Sequence, residues 1–194
     1  MTYLLKKRSR LGLLAGVMMA SAFSAAQEAE LSLRAFIANK GLGCDFSVTE
    51  SELRFNPVAV KQLTGAVQTF QIQPIHLQLH CVEEQSAILP KLSLTGETPY
   101  SMDVDQVVFL SGTPNGAGFM VRQSENDEPI DLADFYQPTD AIGHAGKGQA
   151  LTVLDDNNQY KSDRVLWVGL VGPFLQNAIP GYFHASLTLN MTFE

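Results

Sequence analysis

The sequence predicts an all-β chain folded as a two-sheet sandwich. Three observations carry that reading. Apolar residues recur with a period of two rather than 3.6 over most of the chain. The alternating segments are short and separated by Gly, Pro, Asn and Asp clusters. No segment shows a capped amphipathic helix. With 194 residues the chain is about one domain long, and 45% hydrophobic with 17% charged residues is an ordinary globular composition. The formal net charge of -7 argues against nucleic-acid binding, which needs clustered Lys and Arg. No apolar run reaches the roughly 18–20 residues of a membrane span, and the length argues against a two-domain enzyme.

The chain begins with a segment that is not expected to join the fold. Lys6, Lys7, Arg8 and Arg10 form a basic start, Leu11 to about Phe23 is apolar, and Ser24-Ala25-Ala26 has the small side chains a signal peptidase reads. Residues 1–26 are therefore expected to be a secretory signal peptide. Arg8-Ser9-Arg10 is not a paired Arg-Arg, which favours the general export route over the twin-arginine one. Removing these four basic residues leaves nine against 20 acidic ones, a mature net charge of about -11. Export also bears on Cys44 and Cys81. Two cysteines in an oxidising compartment suggest one disulfide, worth roughly 4 kcal/mol in the chain-entropy account.

Taken in order, the mature chain opens on an alternating stretch in which Leu31, Leu33, Ala35 and Ile37 share one side. Asn39-Lys40-Gly41-Leu42-Gly43 breaks it before Cys44. The stretch from Val67 through Phe70, Ile72, Ile75, Leu77 and Leu79 to Cys81 reads as a long strand. Pro74 shifts its parity, which predicts a bulge or an edge position. Leu89, Leu92 and Leu94 mark a short strand before Gly96, and Val107 to Leu110 is an apolar run ended by Ser111-Gly112. Gly118–Arg122 and Ile130–Leu132 flank Ser124-Glu125-Asn126-Asp127, the signature of a hairpin tip. Gln137 to Gln149, with three glycines, reads as loop. Leu151 to Leu154 precedes the Asp155-Asp156-Asn157-Asn158 turn, and Val165 to Val171 is apolar up to Pro173. The last segment alternates without a fault. Phe183, Ala185, Leu187, Leu189, Met191 and Phe193 take one face, with polar residues and Tyr182 on the other, so a strand with one face in a core is expected.

The first stripe precedes Cys44, so a disulfide does not tie it to the body. An apolar-striped strand on a tether is an aggregation hazard if left exposed. It either folds back onto its own domain or pairs with an edge on another molecule.

The ordered combination resembles the pilus subunits of the bacterial chaperone–usher pathway, of the type 1 and P pilus kind. Its carriers are the signal peptide, the tethered Leu31-Ser32-Leu33-Arg34-Ala35-Phe36-Ile37, Cys44 soon after it, and Cys81 ending a strand that contains Phe70 and Ile72. The C-terminal run from Pro180-Gly181 to Phe193 completes the set. The resemblance implies an incomplete immunoglobulin-like β-sandwich lacking its final strand. That strand would be supplied first by a periplasmic chaperone and then, at the outer-membrane usher, by a neighbouring subunit. Residues 27–43 would be the donor extension, with Leu31, Leu33, Ala35 and Ile37 as donor side chains, and 44–194 the pilin domain. Phe183, Ala185, Leu187, Leu189, Met191 and Phe193 would border the groove in the strand the chaperone reads. Two departures stand out. Ala35 occupies a donor position where the family usually has glycine, and Phe193 replaces the usual penultimate tyrosine. The first leans towards a minor or adaptor subunit. The resemblance implies a subunit that reaches a surface fimbrium through the periplasm, contributes to cell adhesion, and uses no cofactor and no catalysis.

Other chemistry-bearing residues read less well as sites. His76 and His80 have a helical zinc spacing but lie in a predicted strand, where their rings would stand roughly 13 Å apart. Asp103 and Asp105, or Glu125, Asp127, Glu128 and Asp131, lack the spacing and glycine of a calcium loop. No Gly-x-Ser-x-Gly elbow exists. Asn190-Met191-Thr192 matches a glycosylation sequon only by chance, inside a strand. Trp167 reads as a core residue before it reads as a ligand platform. The rival functions are a single-domain fimbrial adhesin and, from another class, a small exported β-sandwich enzyme.

Overall fold

The computed structural model describes residues 26–37, 43–82, 86–143 and 148–193. Most of the predicted leader, residues 1–25, lies outside them. Among the described residues nine strands run in chain order: β1 (Ala26–Ile37), β2 (Cys44–Val48), β3 (Glu52–Ala59), β4 (Gln68–Cys81), β5 (Pro90–Thr95), β6 (Gly118–Gln123), β7 (Gln149–Ala150), β8 (Lys161–Gly172) and β9 (Phe183–Phe193). One sheet has the order β3-β1-β9-β5-β7 and the other β2-β4-β8-β6. The chain is therefore all-β, as the period-two patterning predicts. Its one α-helical turn among the described residues is α1 (Leu132–Phe135).

The two sheets close on a shared core because each strand sends alternate side chains inward. In β9 Phe183, Ala185, Leu187, Leu189, Met191 and Phe193 are all buried. Facing them from the second sheet are Ile75, Leu77 and Leu79 of β4 and Leu166, Val168 and Leu170 of β8, also buried. Phe119 of β6 joins the sheets. Its ring centroid lies 5.3 Å from Phe55 of β3 and 5.6 Å from Phe183 of β9. Val107 to Leu110 is fully buried but forms no strand. Phe109 bridges Phe119 in one sheet and Ser111 bridges His184 in the other, so this segment crosses between layers. The Cys44–Cys81 disulfide forms across directly opposed residues of β2 and β4.

Two local expectations are corrected. The break in parity along β4 is not centred on Pro74. The bulge falls between Thr69 and Gln71, and Pro74 stays in register opposite Trp167. The edge character does hold, since β2 reaches only to Leu77 and leaves Pro74 a neighbouring strand on one side. Ile72 is out of phase with Ile75 because it lies on the outer face, opposite Gly169. That face is covered: Phe135 of α1 is fully buried, and a Cβ on Gly169 would fall 2.1 Å from the Phe135 ring. Ile130–Leu132 is likewise not the second arm of a hairpin. After β6 the chain leaves the sheet and enters α1, where Arg122 Nη1 donates to the carbonyls of Asp134 (2.7 Å) and Phe135 (2.9 Å). β6 pairs with β8 instead.

Candidate functional site

The feature with the clearest capacity for interaction is the slot occupied by β1. Its walls are β3 and β9. β1 runs antiparallel to β3, with Ala29 opposite Phe55 and Leu31 opposite Leu53. It runs parallel to β9 from Ala29 opposite Phe183 to Ile37 opposite Met191. Of the two outcomes open to a tethered apolar strand, this chain adopts the fold-back onto its own domain. Ala29 is buried and Leu31 has no exposed surface. Leu33, Ala35 and Ile37 stand in register with Leu187, Leu189 and Met191; their side chains lie outside the described residues. The polar face is also paired, with Ser32 Oγ 2.9 Å from Ser186 Oγ.

The way β1 is held matters for what it can do. It precedes Cys44, so the disulfide loop does not enclose it. It could leave without breaking a covalent bond, but both walls would then present unpaired N–H and C=O groups, a template for another strand. β3 covers β1 only as far as Ser32, leaving Leu33 to Ile37 laddered to β9 alone. The outer edge of β3, by contrast, is capped. Asn56 N–H donates to Gln71 Oε1 at 2.8 Å, Gln71 Nε2 donates back to Asn56 O at 2.7 Å, and Gln73 Nε2 donates to Arg54 O at 2.7 Å. Strand addition at β3 is thereby directed to its inner side, where β1 sits.

A polar knot closes the end of the sandwich where β1 begins. The Tyr100 hydroxyl donates to Ala117 O at 2.6 Å and accepts from Gly116 N at 3.1 Å, and its ring stacks on Phe174 at 4.9 Å. Burial pushes its phenol pKa up. Asp103, also buried, accepts from Val108 N at 2.7 Å and holds the turn before the crossing segment.

The remaining chemistry-bearing residues do not converge. His76 and His80 are both exposed. His76 is taken by Glu50, whose carboxylate lies 2.8 Å from Nδ1 and accepts from the His76 amide at 2.8 Å. Burial opposes charge on Glu50, but these contacts prevail and hold its carboxyl below the usual range. Asp127 binds Arg164 and the Val165 amide rather than clustering with Glu125, Glu128 and Asp131. No group of three metal-ligating side chains is found among the described residues. Trp167 is partly buried on the outer face, opposite Pro74. No helix among the described residues is long and apolar enough to cross a membrane.

Compared with known proteins, the chain matches no protein-family model and no curated protein. Sequence reasoning found β1 and β9 but missed their parallel pairing, Ala29, and β3 as the second wall. Leu53, Phe55 and Val58, buried in a short segment around Pro57, carried a signal for β3. Nothing local signals the orientation of β1 against β9, because the two are separated by most of the chain.

Proposed function

We propose that this protein is a structural subunit of a chaperone–usher pilus, in a minor or adaptor position, that polymerises by donor-strand exchange. One observation carries the proposal. A strand outside the disulfide loop fills a slot between β3 and the C-terminal strand by ladder bonds, apolar burial and a few polar side-chain contacts, with no covalent tie to either wall. A strand so held is replaceable by another of similar pattern, and the bare walls demand a replacement. In this reading β1 fills the slot of a resting subunit. A periplasmic chaperone strand, and then a neighbour's Leu31, Leu33, Ala35 and Ile37 at the usher, occupy it during assembly into a surface fimbrium. Phe183, Ala185, Leu187, Leu189, Met191 and Phe193 form the wall the incoming strand pairs with. The sandwich is then of the immunoglobulin-like kind completed in trans.

The test is a reversible lock. Ser32 and Ser186 face each other across β1 and β9, so the double variant Ser32→Cys/Ser186→Cys places two thiols within bridging reach. Oxidised, it should stay monomeric and refuse a labelled peptide of residues 27–40; mild reduction should restore uptake, with the wild type under the same reductant as control. Uptake by the oxidised form equal to the wild type, or no uptake by either protein, would overturn the proposal.

A further inference from the structure

We infer that the outer face of the second sheet carries a binding site for a small carboxylate, built from Arg122, Ser124 and Trp167 and separate from the slot. Arg122 of β6 and Trp167 of β8 stand directly opposite each other. Both belong to the outer face, since their chain neighbours Val121 and Val168 are buried in the core. Ser124 follows Arg122 by two residues. It lines the same cavity of about 560 Å³, together with Glu125, Ile130 and Asp140.

This patch holds donors with nothing to donate to. Arg122 Nε, Ser124 Oγ and Trp167 Nε1 are buried and have no hydrogen-bond partner. Among the described residues only one other side-chain polar atom, Thr69 Oγ1, is in that state. Folded chains keep few such atoms, because an unmade bond on a buried group is costly. Three on one patch call for an occupant that supplies acceptors. The rest of the Arg122 guanidinium is engaged: Nη1 donates to the Asp134 and Phe135 carbonyls, and Nη2 to Asp140 Oδ2 at 3.0 Å. The Asp140 side chain is 57% exposed and that of Arg122 only 12%, so solvent screens the carboxylate while the Nε edge keeps its positive charge uncovered. The arginine and indole nitrogens only donate, and an ionised carboxylate only accepts, through two oxygens with about four lone-pair sites. A carboxylate therefore takes all three bonds with no proton of its own to place, and its bond to the guanidinium is charge-assisted. Glu125 and Asp140 on the cavity wall disfavour sulfate and phosphate, whose second negative charge would be repelled by both. The three atoms are out of contact with solvent, so entry requires side chains of the wall to shift.

The chain has a single tryptophan, so Trp167 reports on its own indole N–H. The mature protein at neutral pH is titrated with sodium acetate against sodium chloride at matched ionic strength, reading tryptophan emission and Tm. Acetate should shift the emission saturably and raise Tm, as a ligand of the folded state does. Sulfate and phosphate should act more weakly. Ser124→Ala removes a hydroxyl that holds nothing else, so it should fold like the wild type. It should weaken acetate binding about tenfold, the loss of one hydrogen bond to a charged group. Arg122→Lys keeps the charge, deletes Nε and should weaken binding at least as much. Trp167→Phe, followed by Tm alone, should lose most of the stabilisation by acetate. Arg54→Gln, on the other sheet with a side chain 77% exposed, should bind acetate like the wild type. The inference is overturned if acetate does no more than chloride, which would leave ordered water as the partner of the three donors. It is equally overturned if Ser124→Ala titrates like the wild type, if Arg54→Gln loses as much, or if sulfate or phosphate binds more tightly than acetate.

Discussion

Leu31→Ala asks most directly whether β1 belongs to the folded body. Leu31 has no exposed surface and stands between Leu53 of β3 and Ala185 of β9. Truncating a fully buried leucine costs about 2–5 kcal/mol, the upper part where the cavity cannot collapse. Here β9 is fixed by its own ladder to β5 and β3 by the Gln71 and Gln73 hydrogen bonds, so a value of about 3 kcal/mol is expected. For a chain of this length that lowers Tm by about 6–12 °C. The assay is urea unfolding of the mature protein with a calorimetric Tm, beside Ser32→Ala on the opposite face as control. A double-mutant cycle with Leu53→Ala should give a coupling of about 0.5–3 kcal/mol, as for residues in contact. If Leu31→Ala stays within about 0.5 kcal/mol of wild type, the range of an exposed substitution, β1 does not occupy the slot and the reasoning fails.

Other consequences are open to the same methods. Tyr100→Phe leaves the Gly116 amide without its acceptor and should cost about 1–3 kcal/mol. Because burial raises the Tyr100 pKa in the folded state, its contribution is intact below the unfolded value of about 10 and is lost as pH rises through the folded one. Stability measured from pH 8 upward should therefore fall less steeply in the variant; an unchanged slope would refute this. Gly169→Ala drives a methyl into the Phe135 ring, should cost about 1–3 kcal/mol, and should be partly relieved when combined with Phe135→Ala. Gln71→Leu strips both hydrogen bonds from Asn56 and uncaps the β3 edge. Faster aggregation by light scattering is expected, and an unchanged rate would show the cap to be dispensable.

The strands whose alternation is strict were legible from residue order alone. β9 reads correctly from Phe183 to Phe193 because one face meets a core and the other does not, so each side chain declares its side. The Cys44–Cys81 pair was legible by count, there being only two cysteines. Patterning loses its meaning where a strand is covered on both faces. Ile72 and Gly169 sit beneath Phe135, so apolar residues on that face mimic a slip in register that the backbone does not have. The crossing segment Val107 to Leu110 is as apolar as any strand, yet only Phe109 pairs with a strand, Leu110 donates to Glu97 O, and the following Ser111 pairs with His184 of the other sheet.

By itself, the sequence determined that the chain is all-β, that its first and last segments are one-faced strands, and that the first lies outside the reach of the disulfide. Those are local properties, set by side-chain order along each segment. Only the tertiary structure decided that these two strands lie side by side and parallel, that β3 forms the opposite wall, and that Gln71 and Gln73 close its outer edge. Partner and direction depend on which unpaired edge remains when the rest of the chain has folded, and no single segment carries that information.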